Sequence, residues 1–554
     1  MTHYNSFIKG IYVPFCRRKN WLFIVFLLIF LIFTYKDVIF SKGVGSFDWY
    51  YKMIQFHSIK ETILKFSQFP HWVYGYYTFM QFTGWGYTFS TFELFAQPET
   101  SVISPTIFFN LLFDLHTASN LTFLYYLIIG VIGFYFLGRY FLINNLGIFL
   151  ININFFLGYR IAMHYTQGHP TWMTLVYAPW VLLFFLKSLE TPKYLIFAII
   201  IYSLTLLEGG QHVFIWIAIF LCIYSLVKGI ETKNYKIYTN LMIFFTLSLL
   251  LSSIKLIPSI HFFSNYKPPI AIPPYNLNRL IFMLFDRRGG GDLGEHGNYI
   301  GVGLFIIFLI SFLYGFLKHR SLACVALFFL LLSINISHNY NLIDILRKFP
   351  FMASQRFIPR FMIMAFLSLS FLSALLISEV QKFSQNLRKN KQFIIKILLF
   401  ICIGYITYDL YTLCKEFQKR FYGWRYESPP LSDYSKPLVV PTGKISLKFY
   451  SPNIRIYKIK TNEEALIIFK DLDLKLYKNI LKWEVRKGKK WEKISPLMNS
   501  EFITLKIPKG ITELKMIYNS LYFNVGLTIS VITIIGIILI YKMLSTKKTC
   551  YSRE

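Results

Sequence analysis

Residues 21–40 read WLFIVFLLIFLIFTYKDVIF, directly after Arg17, Arg18 and Lys19, and this stretch decides the fold. At about 1.5 Å per helical residue, an apolar run of this length crosses the ~30 Å hydrocarbon core of a bilayer. A basic flank before an apolar run also begins a secretory signal. No small-residue cleavage site follows here, so the run is expected to be a retained first helix.

Working outward, runs of the same kind recur at 121–138, 142–158, 171–187, 194–207, 212–228, 237–257, 299–317, 321–337, 361–379, 393–412 and 522–542. The expected fold class is therefore an all-α polytopic membrane protein of about twelve transmembrane helices. The composition agrees, since the 554-residue chain is 55% hydrophobic and only 15% charged. A soluble chain of this size would divide into several domains with more charge.

The formal net charge is +31, from 58 Lys and Arg against 27 Asp and Glu. No finger, basic helix or RNA-binding sheet motif accompanies it, so nucleic acid is not an expected partner. Arg17–Lys19, Arg139, Lys187 with Lys193, Lys228–Lys236, Lys318 with Arg320, the Lys382–Lys391 cluster and Lys547 with Lys548 fall on one side of the expected spans. The positive-inside rule makes that side cytoplasmic, with both termini inside, as an even number of spans requires. The six cysteines form no CxxC pair and no metal-type cluster, and there is no disulfide framework to read.

This orientation places segments 41–120, 258–298, 338–360 and 413–521 outside. The last differs in pattern from the rest. Ile454–Ile459 and Phe502–Ile507 alternate apolar and polar residues, and Pro508-Lys509-Gly510 is a turn signal. The expected division is a transmembrane domain over 1–412 with a large first outer loop, a small extracytoplasmic β domain over 413–521, and a final helix with a basic tail over 522–554.

Polar residues at membrane edges are costly unless they line a cavity or path, which makes them functional candidates. Asp48 follows the first span among Phe47, Trp49, Tyr50 and Tyr51. A carboxylate beside aromatic rings suits a general base, although a solvated loop aspartate reads the same way; Asp37 is a nearby decoy. Gln97 and Glu99 lie beside Pro98 in the same loop, where a fixed turn would aim them inward, and Ser104-Pro105 reads as an N-cap followed by Pro at N1. His169, in Gly168-His169-Pro170, and Glu208 with His212, in Glu208-Gly209-Gly210-Gln211-His212, fall at outer helix ends. Their spacing fits no standard zinc motif, so no metal is assigned, and a divalent ion is left open without support from the spacing. Arg356 and Arg360 enter a later span, and Arg287 and Arg288 precede a triple glycine. Guanidinium forks match lipid phosphates, while ordinary snorkelling to headgroups explains them equally.

Taken in order, these residues resemble the YfhO family of bacterial membrane proteins, which belongs with the GT-C type of glycosyltransferases. Asp48 in Ser46-Phe47-Asp48-Trp49-Tyr50 is similar to the family's first-loop acidic position, followed by Phe69-Pro70-His71-Trp72. Ala96–Thr100 with Ser104-Pro105 is similar to its Asn-Pro-Gln and Ser-Pro segment, with Gln97 where the family favours Asn. Gly168-His169-Pro170, Gly209–His212, Asn298–Gly301 and Pro508–Tyr518 have counterparts. The most specific stretch is Phe349-Pro350 to Arg356-Phe357-Ile358-Pro359-Arg360-Phe361. A Tyr-Pro-Gly-Trp turn usual in the family's outer domain is missing.

The resemblance implies a GT-C-like membrane enzyme of the bacterial cytoplasmic membrane. It would transfer sugar from a polyprenyl-phosphate donor to a cell-envelope polymer or glycolipid on the outer face. Asp48 would be the base, with Arg356 and Arg360, and Arg287 and Arg288, on the lipid phosphate; Gln97, Glu99, His169, Glu208 and His212 would contact substrate. Two other classes stay open: a transporter or flippase for lipid-linked sugars, and a non-catalytic envelope scaffold.

Overall fold

The computed structural model describes residues 18–550 except 47, 75–90, 98, 266–274, 288–296, 335–357, 425–437, 441–442, 452, 462, 474–479, 499 and 501. Arg288 and Arg356 therefore lie outside the described residues. Eight described helices are long and apolar enough to cross a membrane: Leu115–Tyr140, Asn145–Thr166, Pro170–Ser188, Gln211–Thr232, Gly301–Lys318, Ile358–Ser384, Lys389–Phe421 and Leu521–Leu544. Asn20–Thr34, Lys193–Leu207 and Arg320–Ser333 are apolar but shorter.

The run expected as a span over 237–257 is broken into two helices. Helices Lys236–Leu251 and Ser253–His261 meet at a 75° bend. The last helix packs against the bend. Gly526 of the last helix lies against the Ser253 carbonyl, where a Cβ would collide, and the Ser530 hydroxyl accepts from the Ile254 amide at 3.0 Å.

One apolar core joins the long helices, with fully buried Leu27, Leu31, Phe123, Phe156, Val181, Trp216, Phe329 and Leu372. Leu22, Phe26, Ile29, Phe393, Phe400, Ile532 and Leu539 remain exposed on helix faces that turn away from it. Exposed apolar faces of this extent are what contact with lipid requires. Lys36–Ile39 and the end of Lys389–Phe421 meet where Lys415 pairs with Asp37 at 2.8 Å.

The first loop is a folded unit. It contains strand β1 (Val44–Gly45), helix Trp49–Leu64, the antiparallel pair β2 (Trp72–Tyr74) and β3 (Thr91–Glu93), and helix Ile107–Leu112. Ile54, Ile59, Leu94, Phe95 and Val102 pack on Leu207, Ile254 and Phe523, so the loop is anchored to the bundle end by its own small core. Ser104 is not the N-cap of the following helix; Thr106 holds that position, and the Ser104 hydroxyl accepts from the Thr106 amide at 3.0 Å.

Helix Lys389–Phe421 runs nine residues beyond the expected end at 412, and strand β4 (Tyr422–Trp424) then pairs with β1. The region that follows, up to the last helix, is a two-sheet sandwich. Strands β6 (Lys444–Ser451), β7 (Ile454–Lys460), β9 (Leu481–Lys487), β10 (Lys490–Ile494) and β12 (Glu513–Tyr518) form an antiparallel sheet in the order β10-β9-β12-β7-β6. Strands β5 (Leu438–Val440), β8 (Ala465–Asp473) and β11 (Phe502–Ile507) form the second, in the order β11-β8-β5. Inward residues Tyr457 and Trp483 of one sheet meet Phe469 of the other at 5.5 and 4.7 Å between ring centres. Over 454–459 and 502–507 the strands expected from the sequence are present, and Tyr457, Ile459, Ile503, Leu505 and Ile507 face the core, although polar Arg455 and Thr504 are buried too and Ile454, Ile456 and Phe502 are half-buried. Asn453, between β6 and β7, donates to the Phe69 carbonyl at 3.0 Å, and His71 stacks on Tyr518 at 4.2 Å, so the first loop docks the sandwich.

Candidate active site

Two helix ends built by the same local rule frame the site. Helix Tyr159–Thr166 stops because Gly168 takes φ +97°, and the amides of Gly168 and His169 donate back to the carbonyls of Tyr165 and His164. Helix Lys193–Leu207 stops in the same way, with Gly209 at φ +90° and the amides of Gly209 and Gly210 returning to Leu206 and Thr205. Both are Schellman ends, which put glycine in the left-handed position and bring the residue after it over the last helical turn. Gly168-His169-Pro170 and Glu208-Gly209-Gly210 are helix terminators first.

The first end holds Asp48. Its remaining carbonyls are capped by the first loop: the Ser46 amide donates to Thr166 at 3.0 Å, the Asp48 amide to Gln167 at 3.1 Å, and the Trp49 indole to Tyr165 at 2.6 Å. Asp48 keeps an exposed carboxylate, 57% accessible, with Oδ2 at 2.9 Å from His169 Nε2. A Cβ on Gly168 would fall on the backbone of Asp48 and Trp49. Gly168→Ala is expected to cost more than the ~1–2 kcal/mol of a left-handed alanine, because it also displaces this strap. A thermal melt of the detergent-solubilised protein should show a drop of several degrees, and activity should fall with it.

Behind His169 the polar chain continues inward. His169 Nδ1 is 3.2 Å from Nδ1 of His164, a fully buried residue stacked on Trp172 at 3.6 Å. Arg360 lies over the Trp172 ring at 5.1 Å, a cation–π arrangement, and its Nη1 is 3.3 Å from His212 Nε2. His212 in turn is 3.6 Å from Glu99, and Lys52 lies 3.6 Å from the same carboxylate. Burial works against charge on Glu99, yet His212 and Lys52 hold its carboxyl well below the usual carboxylate range. Lys52, 2% exposed, is lowered by burial, with Glu99 and Asp48 acting the other way, and its Nζ also donates to the Glu99 carbonyl at 2.9 Å. Lys255 reaches the Thr100 carbonyl from the bent helix. The 75° bend thus delivers a buried lysine amine to the first loop.

Among the sequence candidates, the structure brings together Asp48, His169, Glu99, His212 and Arg360. Gln97 sits at the turn beside Glu99, where its carbonyl accepts from the Thr100 amide at 3.2 Å. Glu208 points elsewhere. It is fully buried and accepts from Tyr126 at 2.6 Å and Tyr177 at 2.9 Å, so the Glu208–His212 pair does not act as one unit. Arg287 is engaged by Asp409 at 2.7 Å and Glu416 at 3.0 Å, and it lies over Tyr299. Lys52, Lys255, Arg160, His164 and Trp172 were not singled out by the sequence. The signal for Arg160 and His164 was two basic residues beside an apolar run, a costly placement that points to function. Arg160 is buried and donates to Asn298 at 2.9 Å and to the Pro359 carbonyl at 3.1 Å, which fixes the backbone just ahead of Arg360.

None of the family models, curated proteins or solved structures compared with the chain matches it. Among the described residues no group of three or more His, Cys, Asp or Glu is arranged to hold a metal ion. The site's chemistry is therefore read from its own geometry: an accessible carboxylate at the rim, and a buried guanidinium behind aromatic rings.

Glu208 gives a test of burial at this end. Burial pushes its carboxyl up to about 7 against the hydrogen bonds from the two tyrosines. Between about 4.3, the unfolded value, and about 7 the native state binds the extra proton, so stability is greatest at the acid end and declines as pH rises through the folded value. The melting temperature of the solubilised protein should fall over this window, and the Glu208→Gln protein should lack that component.

Proposed function

We propose that the chain is a polyprenyl-phosphate-sugar-dependent membrane glycosyltransferase of GT-C type. It acts on the outer face of the bacterial cytoplasmic membrane, with a cell-envelope polymer or glycolipid as acceptor. The bent pair and the three shorter helices join the eight long ones in a twelve-span bundle with both termini inside. The observation that carries the reading is the accessible Asp48 carboxylate fixed on a helix end, joined through His169, His164 and Trp172 to the buried Arg360.

In this reaction the acceptor hydroxyl attacks the anomeric carbon while its proton passes to Asp48. The bond from that carbon to the phosphate oxygen breaks, and the electron pair leaves on the lipid phosphate. Configuration inverts because attack and departure are on opposite faces. A base contributes by taking a proton that becomes acidic only as the bond forms. Arg360 answers the charge that grows on the departing phosphate, and a cation in a dry, fixed site stabilises such charge without reorganising.

The test is replacement of the chromosomal copy by Asp48→Asn, followed by analysis of the envelope glycan. Loss of one sugar substituent with normal protein level is expected; an unchanged glycan with normal level refutes the catalytic assignment.

A further inference from the structure

The hydrogen-bond chain behind Asp48 has a direction, and the direction follows from one buried atom. His169 Nε2 faces a carboxylate oxygen at 2.9 Å, so that nitrogen carries the proton and donates. His169 Nδ1 faces His164 Nδ1 at 3.2 Å, and one of those two nitrogens must donate while the other accepts. The remaining nitrogen of His164, Nε2, is buried with no hydrogen-bond partner among the described residues.

If His169 donated through Nδ1, His164 would accept there and would carry its own proton on Nε2. That would bury an N–H with no acceptor, at a cost of about 1–3 kcal/mol. The reverse arrangement leaves only a lone pair at Nε2. His164 is fully buried and stacks on Trp172, the ring over which the Arg360 guanidinium lies, so a fixed positive charge stands nearby and suits a lone pair at Nε2 better than an unpaired N–H. His169 faces Asp48 and Glu99 as well, and Lys52 acts on both carboxylates.

We propose that His164 and His169 are positioning residues forming a one-way chain, His164 Nδ1–H to His169 Nδ1 and His169 Nε2–H to Asp48 Oδ2. The chain locks the orientation of the Asp48 carboxylate and leaves its other oxygen to take the substrate proton. The helix end makes this possible. A Schellman end sets the residue after its glycine against the one five positions earlier, a contact commonly apolar. Here those two residues are His169 and His164, and the contact is polar and directional. The inference on orientation rests on Asp48 being the base; the assignment of proton positions does not.

Two measurements separate those parts. Nitrogen-15 NMR of the full chain in nanodiscs, labelled at histidine and assigned with His164→Phe and His169→Gln, reads the protonation of each ring nitrogen. Neutral His164 with its proton on Nδ1 and neutral His169 with its proton on Nε2, at pH 7, are expected. A proton on His164 Nε2, or a cationic His169, overturns the chain whatever the protein's activity. Transfer is then followed in membranes with radiolabelled polyprenyl-phosphate sugars. His169→Leu should lose about 10²-fold, the scale of a misplaced reacting group. His169→Gln, whose amide can donate to Asp48, should recover most of that loss. His164→Phe frees His169 Nδ1 to accept a proton, so a new decline should appear below about pH 6.5, the ordinary histidine value. Wild-type rate and pH profile in His169→Leu, with Asp48→Asn inactive, would overturn the positioning role alone. Full activity in Asp48→Asn would instead remove the base assignment on which that role rests, and with it the role.

Discussion

Asp48→Asn is expected to lower the transfer rate by about 10²–10⁴-fold, the usual contribution of a positioned general base. The loss should fall on kcat and not on donor KM, because the carboxylate sits at the accessible rim and meets the acceptor hydroxyl. Asparagine is nearly isosteric. Its side chain can still face His169, and the backbone bond from residue 48 to Gln167 needs no carboxylate. Expression and melting temperature should therefore stay near wild type. Asp37 supplies the control. It lies at the same bundle end, paired with Lys415 on the surface, and an exposed pair of this kind contributes little. Asp37→Asn should keep its activity.

Arg360→Gln is expected to cost about 10²–10³-fold in kcat, the scale for removing one preorganised donor from a developing charge. The guanidinium is placed by two neighbours, the Trp172 face and His212 Nε2, while the bond from Arg160 to the Pro359 carbonyl holds the backbone ahead of it. Arg360→Lys should not restore full activity, since an ammonium lacks the planar fork and stacks poorly on an indole. Arg160→Gln makes a graded companion. It leaves Arg360 in the chain but loosens the backbone ahead of it, so a smaller loss in kcat with unchanged donor specificity is expected in the same assay.

How much of this was legible in the sequence depended on whether the signal was local. The apolar runs and the period-two strands over 454–459 and 502–507 are local, and each corresponds to a helix or strand. Gly168-His169-Pro170 was legible as a helix end, because glycine then proline stops a helix by backbone geometry alone. What that end does was hidden, since the Asp48 strap comes from 120 residues earlier in the chain. The bend falls at Ser252-Ser253 inside a mostly apolar run, where Gly526 and Ser530 of the last helix pack against it, a contact the local pattern does not reveal. Lys52 reads as a solvated helix position between Tyr51 and Met53, and only the packing of the first loop buries it. Glu208 and His212 look like partners at i and i+4, yet the glycine turn between them sends one to Tyr126 and the other to Arg360.

The most direct test of the central claim uses membranes containing the native chain or Asp48→Asn at matched levels. Each is incubated with a panel of radiolabelled polyprenyl-phosphate sugars and the envelope fraction is counted. One donor should label that fraction with the native chain and leave it at background with Asp48→Asn. Equal labelling by the two proteins, or no labelling from any donor in the panel, would contradict a glycosyltransferase that uses Asp48 as its base.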